Sequence, residues 1–181
     1  MKKYLLIIDV QFLIEARVIV QEIYENVYSD LEDEFYKPKK YNEKIKLSQL
    51  VKECDYYAGF GAEFTPKVYV IGSNYQHFET VFDLADFETI NANKLTTNNS
   101  PWNEAENIIK INSEDNILLV ADNQFYASMI EANSSNHDIR LIRYKYDLRR
   151  NAISSMDNND FRYQDICFPL GICLGLKRGE L

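Results

Sequence analysis

The sequence predicts an α/β fold, a three-layer α/β/α sandwich around a mostly parallel central sheet. Three observations carry this. Short, continuously apolar runs recur along the chain. Stretches with helical spacing separate those runs. No repeat, low-complexity block or linker interrupts the alternation. Unbroken apolar runs mark strands buried on both faces, and parallel sheets are covered on both faces. Alternating strands and helices supply that cover from both sides.

Taken in order, Tyr4 to Ile8 reads as the first strand and ends at Asp9. From Leu13 to Leu31, apolar residues at Ala16, Val20, Ile23, Val27 and Leu31 keep one helical face. Leu47, Leu50, Val51 and Cys54 mark a second helix, stopped near Gly59. Val68 to Ile71 is the next strand. Ser73 and Gln76 have the spacing of a capping box for a helix carrying Phe78 and Phe82. Glu88 to Ala92 is a weaker strand signal. Ser100-Pro101 reads as a cap with proline at the first helical position, opening a helix with Trp102, Ala105 and Ile109. Ile117 to Ala121 is a strand, followed by a helix marked by Phe125, Met129 and Ile130. Ile139 to Tyr144 is a further run, interrupted by Arg140 and Arg143. Residues 151–160 read as an exposed loop. The apolar stretch from Phe161 to Leu176 reads as a last short strand and a docking helix.

The 181 residues suit one domain spanning 1–181, and 46% hydrophobic with 27% charged residues is globular rather than disordered composition. No apolar run approaches the ~20 residues of a membrane helix. The opening run is too short for a signal peptide and is interrupted by Asp9. A cytoplasmic location is the expectation. Three cysteines without a Cys-x-x-Cys pair, and two histidines, argue against structural zinc and for free thiols in a reducing compartment. A net charge of −8 and a pI near 4.8 argue against broad, non-specific nucleic-acid binding. They leave room for a local basic patch, or for a metal that bridges to phosphate.

Asp9 and Asp122 directly follow two of the buried runs. Open parallel sheets bind ligands outside the carboxyl ends of their strands. If these strands are neighbours, the two carboxylates face one crevice, where a divalent cation relieves their repulsion. Such a cation activates water and neutralises a phosphoryl oxygen. The competing reading is structural, since an aspartate after a strand is also a common helix cap or turn residue.

The segment Ile117-Leu118-Leu119-Val120-Ala121-Asp122-Asn123-Gln124-Phe125, followed after a helix by Ile139-Arg140-Leu141-Ile142, resembles the fourth-strand segment of NYN domains in the PIN-like nuclease superfamily. In that family the strand ends in Gly-Asp-Ser-Asp-Phe. Leu5-Leu6-Ile7-Ile8-Asp9 is similar to its first strand and aspartate. The resemblance covers most of the chain in order and spacing. It implies Mg²⁺ or Mn²⁺ held by Asp9 and Asp122, with Glu104 completing the site and Gln124 orienting a water or the substrate. The implied reaction is metal-assisted phosphodiester hydrolysis, with RNA or another phosphate ligand as substrate. This chain departs from the family at Gln124, where the second aspartate stands, and at Ala121, where the glycine stands. It also departs at Phe12, where an asparagine stands, and at Asn103, beside Glu104, where a middle acid stands. A glutamine coordinates through its amide oxygen but adds no charge, so weaker Mg²⁺ binding is implied.

Asp9-Val10-Gln11 is also similar to the opening of isochorismatase-like hydrolases. Those enzymes need a cysteine nucleophile near the helix after the Ile117 strand, where this chain has Phe125 and Tyr126. There is no dinucleotide-binding glycine motif, Walker loop or nucleophile elbow. Arg140, Arg143, Lys145, Arg149 and Arg150 interleave with Tyr144 and Tyr146, a combination that suits single-stranded RNA. The competing reading is a solvated strand edge and loop. Two functional expectations follow. One is a metal-dependent ribonuclease or binder of RNA or another phosphate ligand. The other is a catalytically inactive interaction module, with Ile166 to Leu176 as a surface for a protein partner or a homodimer.

Overall fold

The computed structural model describes residues 2–28, 43–58, 61–92, 100–112, 116–144, 146–147, 152–153 and 163–175. Its strands are β1 (Lys2–Asp9), β2 (Ile45–Lys46), β3 (Ala62–Ile71), β4 (Phe82–Asp83), β5 (Glu88–Asn91), β6 (Asn116–Val120), β7 (Asp138–Arg143), β8 (Tyr146–Asp147), β9 (Ala152–Ile153) and β10 (Tyr163–Asp165). Its helices are α1 (Val10–Tyr28), α2 (Leu47–Ala58), α3 (Tyr75–Val81), α4 (Pro101–Ile111), α5 (Gln124–Asn133) and α6 (Cys167–Cys173).

Six strands form the central sheet in the order β10-β7-β6-β1-β3-β5, and every neighbouring pair is parallel. The chain starts in the middle and builds outward through β3 to β5. It then returns to the other side of β1 and builds outward again through β6, β7 and β10. The strand order therefore reverses between β1 and β6, which pair with Ile8 opposite Val120. In such sheets the crevice for ligands opens at this point, beyond the carboxyl ends of the strands.

Period-two alternation divides the sheet's side chains between two cores. Tyr4, Leu6, Ile8, Val68, Val70, Leu118, Val120 and Ile142 face α1, α2, α3 and α6. Leu5, Ile7, Ile71, Ile117, Leu119, Ile139 and Leu141 face α4 and α5. This is the three-layer sandwich that the alternation predicts.

The structure departs from the expected elements in several places. β3 begins at Ala62, six residues before the apolar run, because the ladder to β1 shifts register between Tyr4 and Leu6. Pro66, which has no N–H to donate, lies in that irregular stretch. The expected capping box at Ser73 and Gln76 does not form. The helix is capped at Asn74, in the left-handed region at φ 73°, with no side-chain cap bond. Phe82 follows that helix as part of β4, which pairs with β2. Ser100 does occupy the cap position before Pro101, but its hydroxyl makes no cap bond. Within 151–160, Ala152–Ile153 pairs antiparallel with Tyr146–Asp147. The apolar tail is core: α6 packs on α1 and α2, with Pro169, Leu170 and Cys173 buried. Phe168 of this helix stays exposed.

No disulfide joins the three cysteines, and burial pushes the Cys54 thiol well above its ordinary range, which leaves it unreactive. Among the described residues, no helix is long and apolar enough to cross a membrane. Leu6 lies fully buried in the strand flanked by both β3 and β6. Leu6→Ala is expected to cost about 2–5 kcal/mol, the range for a truncated buried leucine, read by denaturant unfolding. A loss under about 1 kcal/mol would contradict the central position of β1.

Candidate functional site at the strand-order reversal

The alternation that buries Leu5 and Ile7 under α4 and α5 carries Asp9 to the same face. Asp9 is the last residue of β1 and directly precedes α1. It is only 8% exposed. Its Oδ1 accepts from the Phe12 N–H at 3.3 Å, three residues on, which is the bond of a helix N-cap. Its Oδ2 accepts from the Tyr126 hydroxyl of α5 at 2.8 Å. The structural reading of Asp9 is met at one oxygen, which caps α1, while the other is bonded across the crevice to α5. Burial pushes its carboxyl above the ordinary range, and the two hydrogen bonds offset part of this. Burial and the charge of Asp9 push the Tyr126 phenol up as well, so it stays protonated and remains a donor.

Gly72 follows β3 with φ +84°, a conformation that favours glycine. A Cβ there would lie 3.3 Å from Asp9 Oδ1 and 3.7 Å from Pro101 Cγ. The Gly72 N–H donates to Glu104 Oε2 at 3.0 Å. Glu104 stands in the first turn of α4 and is 2% exposed. Burial raises its carboxyl above the ordinary range, the Gly72 bond opposes this, and the charge of Asp9 adds to the rise. The ends of β1 and β3 and the start of α4 thus close around two buried acids.

Asp122 follows β6 and is half-buried. It does not cap the next helix. Asn123 does, its side chain accepting from the Phe125 N–H at 3.0 Å. Asp9 and Asp122 line one crevice of about 410 Å³. Gly72, Pro101, Trp102 and Tyr126 form part of its wall. Phe12 and Tyr144, in edge contact at 5.1 Å between ring centroids, line another part. Gln11 and Glu15 complete the α1 side, with the Gln11 amide donating to Glu15 at 2.8 Å. Among the described residues, no lysine, arginine, histidine or cysteine lines the crevice.

The other expected site residues lie elsewhere. Gln124 is exposed in the first turn of α5 and is not among the residues lining the crevice. Arg143 is fully buried, donates to the Tyr144 carbonyl and lies 5.4 Å from the Tyr163 ring centre. Arg140 is held by Asp138 through two bonds of 2.7 and 3.2 Å. Three residues apart on a strand, these arginines point to opposite faces, so they do not form one basic surface. Lys145, Arg149 and Arg150 lie outside the described residues. Among the described residues, no group of three or more His, Cys, Asp or Glu side chains is arranged to hold a metal.

The sequence reading missed Tyr126. Its signal was present: Tyr126, Met129 and Ile130 share a helical face and are buried, whereas Phe125 lies off that face and is 47% exposed. Gly72, directly after a strand, was a comparable signal for a strained turn.

Two outcomes follow. Gly72→Ala forces an unfavourable φ and crowds Asp9, and is expected to destabilise the fold by about 1–3 kcal/mol, read by thermal melting. An unchanged melting temperature would show that the turn relaxes freely. The raised Glu104 carboxyl means that the folded chain binds this proton more tightly than the unfolded chain. The stability it contributes is complete below its ordinary value of 4.5 and is lost as pH rises through the folded value. Glu104→Gln keeps an acceptor for Gly72 without the buried charge. It should melt higher than the parent at neutral pH, with the gap closing as the medium is acidified. A lower melting temperature at neutral pH would show that the charge itself is stabilising.

No family model matches this chain, and no curated protein or solved structure matches it either, so its site is described by its own residues alone.

Proposed function

We propose that this chain is a divergent PIN/NYN-like domain whose crevice takes a phosphate-bearing ligand, RNA or a nucleotide, together with Mg²⁺ or Mn²⁺. One observation carries the reading: Asp122 lines the crevice beside Asp9 while Asn123 does the capping.

The donor set fits a cation bound mostly by water and ligand oxygens rather than by a protein cage. Mg²⁺ commonly keeps several waters and uses one or two carboxylates plus substrate phosphates. Asp9 and Asp122 would hold it, and such a cation would neutralise an anionic ligand in a crevice whose described lining carries no basic side chain. When bound, it supplies charge neutralisation and water activation for in-line phosphodiester hydrolysis. Tyr126 fixes the orientation of Asp9 by donating to Oδ2. Glu104 acts at one remove, holding the Gly72 turn against Asp9.

A second reading has its own support. Both oxygens of Asp9 already serve bonds within the chain, as they would in a silent relative that works as an interaction module.

A melting titration with Mn²⁺, alone and with a short single-stranded RNA, separates the two. The expected result is a small rise with Mn²⁺ alone and a larger one with both, about 2–3 kcal/mol at ~100-fold excess over Kd. Asp122→Asn abolishes the added rise. If millimolar Mn²⁺ with RNA leaves the melting temperature and the RNA unchanged, the metal reading is lost and the silent module stands.

A further inference from the structure

Trp102, in the first turn of α4, and Phe125, in the first turn of α5, stack with ring centroids 4.7 Å apart and planes 27° apart. The core between α4 and α5 is already filled by Ala105, Ile108, Ile109, Met129 and Ile130. Trp102 lies at its margin, and Phe125 is 47% exposed. Trp102 also lines the crevice that holds Asp9 and Asp122. Trp102 therefore carries the stack to the wall of the acidic crevice, with Phe125 exposed on its other side.

We infer that the Trp102–Phe125 stack is the recognition surface for a nucleobase, so that the ligand of this site is a nucleotide or a single-stranded chain read through one stacked base. This rests on the phosphate reading of Asp9 and Asp122. Stacking accepts any base, because every base presents a π face, and it needs no positive charge from the protein. That suits a crevice in which, among the described residues, no basic side chain is found. Asn123, Gln11 and Ser73 line the same crevice and offer polar groups to a base edge or sugar. Its volume of about 410 Å³ lies within the range of roughly 300–1,000 Å³ usual for small-ligand sites.

Trp102 is the single tryptophan of the chain, so its fluorescence reports on the stack directly. The test titrates the protein with adenosine 5′-monophosphate and, separately, ribose 5-phosphate, with and without Mn²⁺. Fluorescence and calorimetry are followed in parallel. The nucleotide should quench Trp102 and bind more tightly than the sugar phosphate. Phe125→Ala, an exposed position that keeps the tryptophan, should weaken nucleotide binding about 5- to 100-fold and leave ribose 5-phosphate binding unchanged. Equal binding of the two ligands, or an unchanged preference in Phe125→Ala, overturns the stack as a base site. If both bind equally but only with Mn²⁺, the phosphate reading survives alone. Quenching by the nucleotide that ignores Mn²⁺ and persists in Asp122→Asn keeps the base site and removes the phosphate reading. Failure of both ligands to bind overturns the inference.

Discussion

The buried carboxylate of Asp9 is the constraint around which the site is organised. A charge taken out of water must be met by hydrogen bonds or it destabilises the fold. Here one bond is local, from the Phe12 amide at the start of α1, and one comes from a distant part of the chain, the Tyr126 hydroxyl on α5. The first sets the direction in which α1 leaves the sheet. The second ties β1 to the helix that follows β6, across the point where the strand order reverses. Gly72 closes the third side, in a conformation that favours glycine and where a Cβ would press on Asp9 Oδ1 at 3.3 Å.

The two faces of the sheet serve different ends. One is a broad apolar core under four helices, including α6, which seals it with Leu170 and Cys173. The other carries α4 and α5, whose first turns, with the Asn123 cap, bring Trp102, Asn123 and Tyr126 to the crevice and Glu104 to the Gly72 turn beside it. Helix starts favour negative charge, and Glu104 stands in the first turn of α4. The same two helices that fill the core thus also furnish acids and rings at its end. A site of this make-up is acidic and aromatic. Among the described residues its lining carries carboxylates and rings and no basic side chain.

What the sequence alone determined is the set of features that depend on near neighbours. Unbroken apolar runs marked the strands at Tyr4, Val68 and Ile117, because burial on both faces leaves no polar position to interrupt them, and an interrupted run marked the one at Ile139. Alternation of strands and helices implied the parallel sandwich, and the strand-end rule placed Asp9 and Asp122. Tertiary structure decided the rest, because those features rest on contacts between distant residues. Tyr126 reaches Asp9 across 117 positions, and Gly72 reaches Glu104 across 32. No local pattern encodes such pairs. Arg143 looked like surface charge within an apolar run, yet it is buried beside Tyr163 of the adjoining strand β10, a neighbour that only the strand order supplies. Asp9 and Asp122 began as two acids at strand ends. The fold made one a buried cap bonded across the sheet and the other a half-buried residue lining the same crevice, because β1 and β6 are neighbours where the strand order turns.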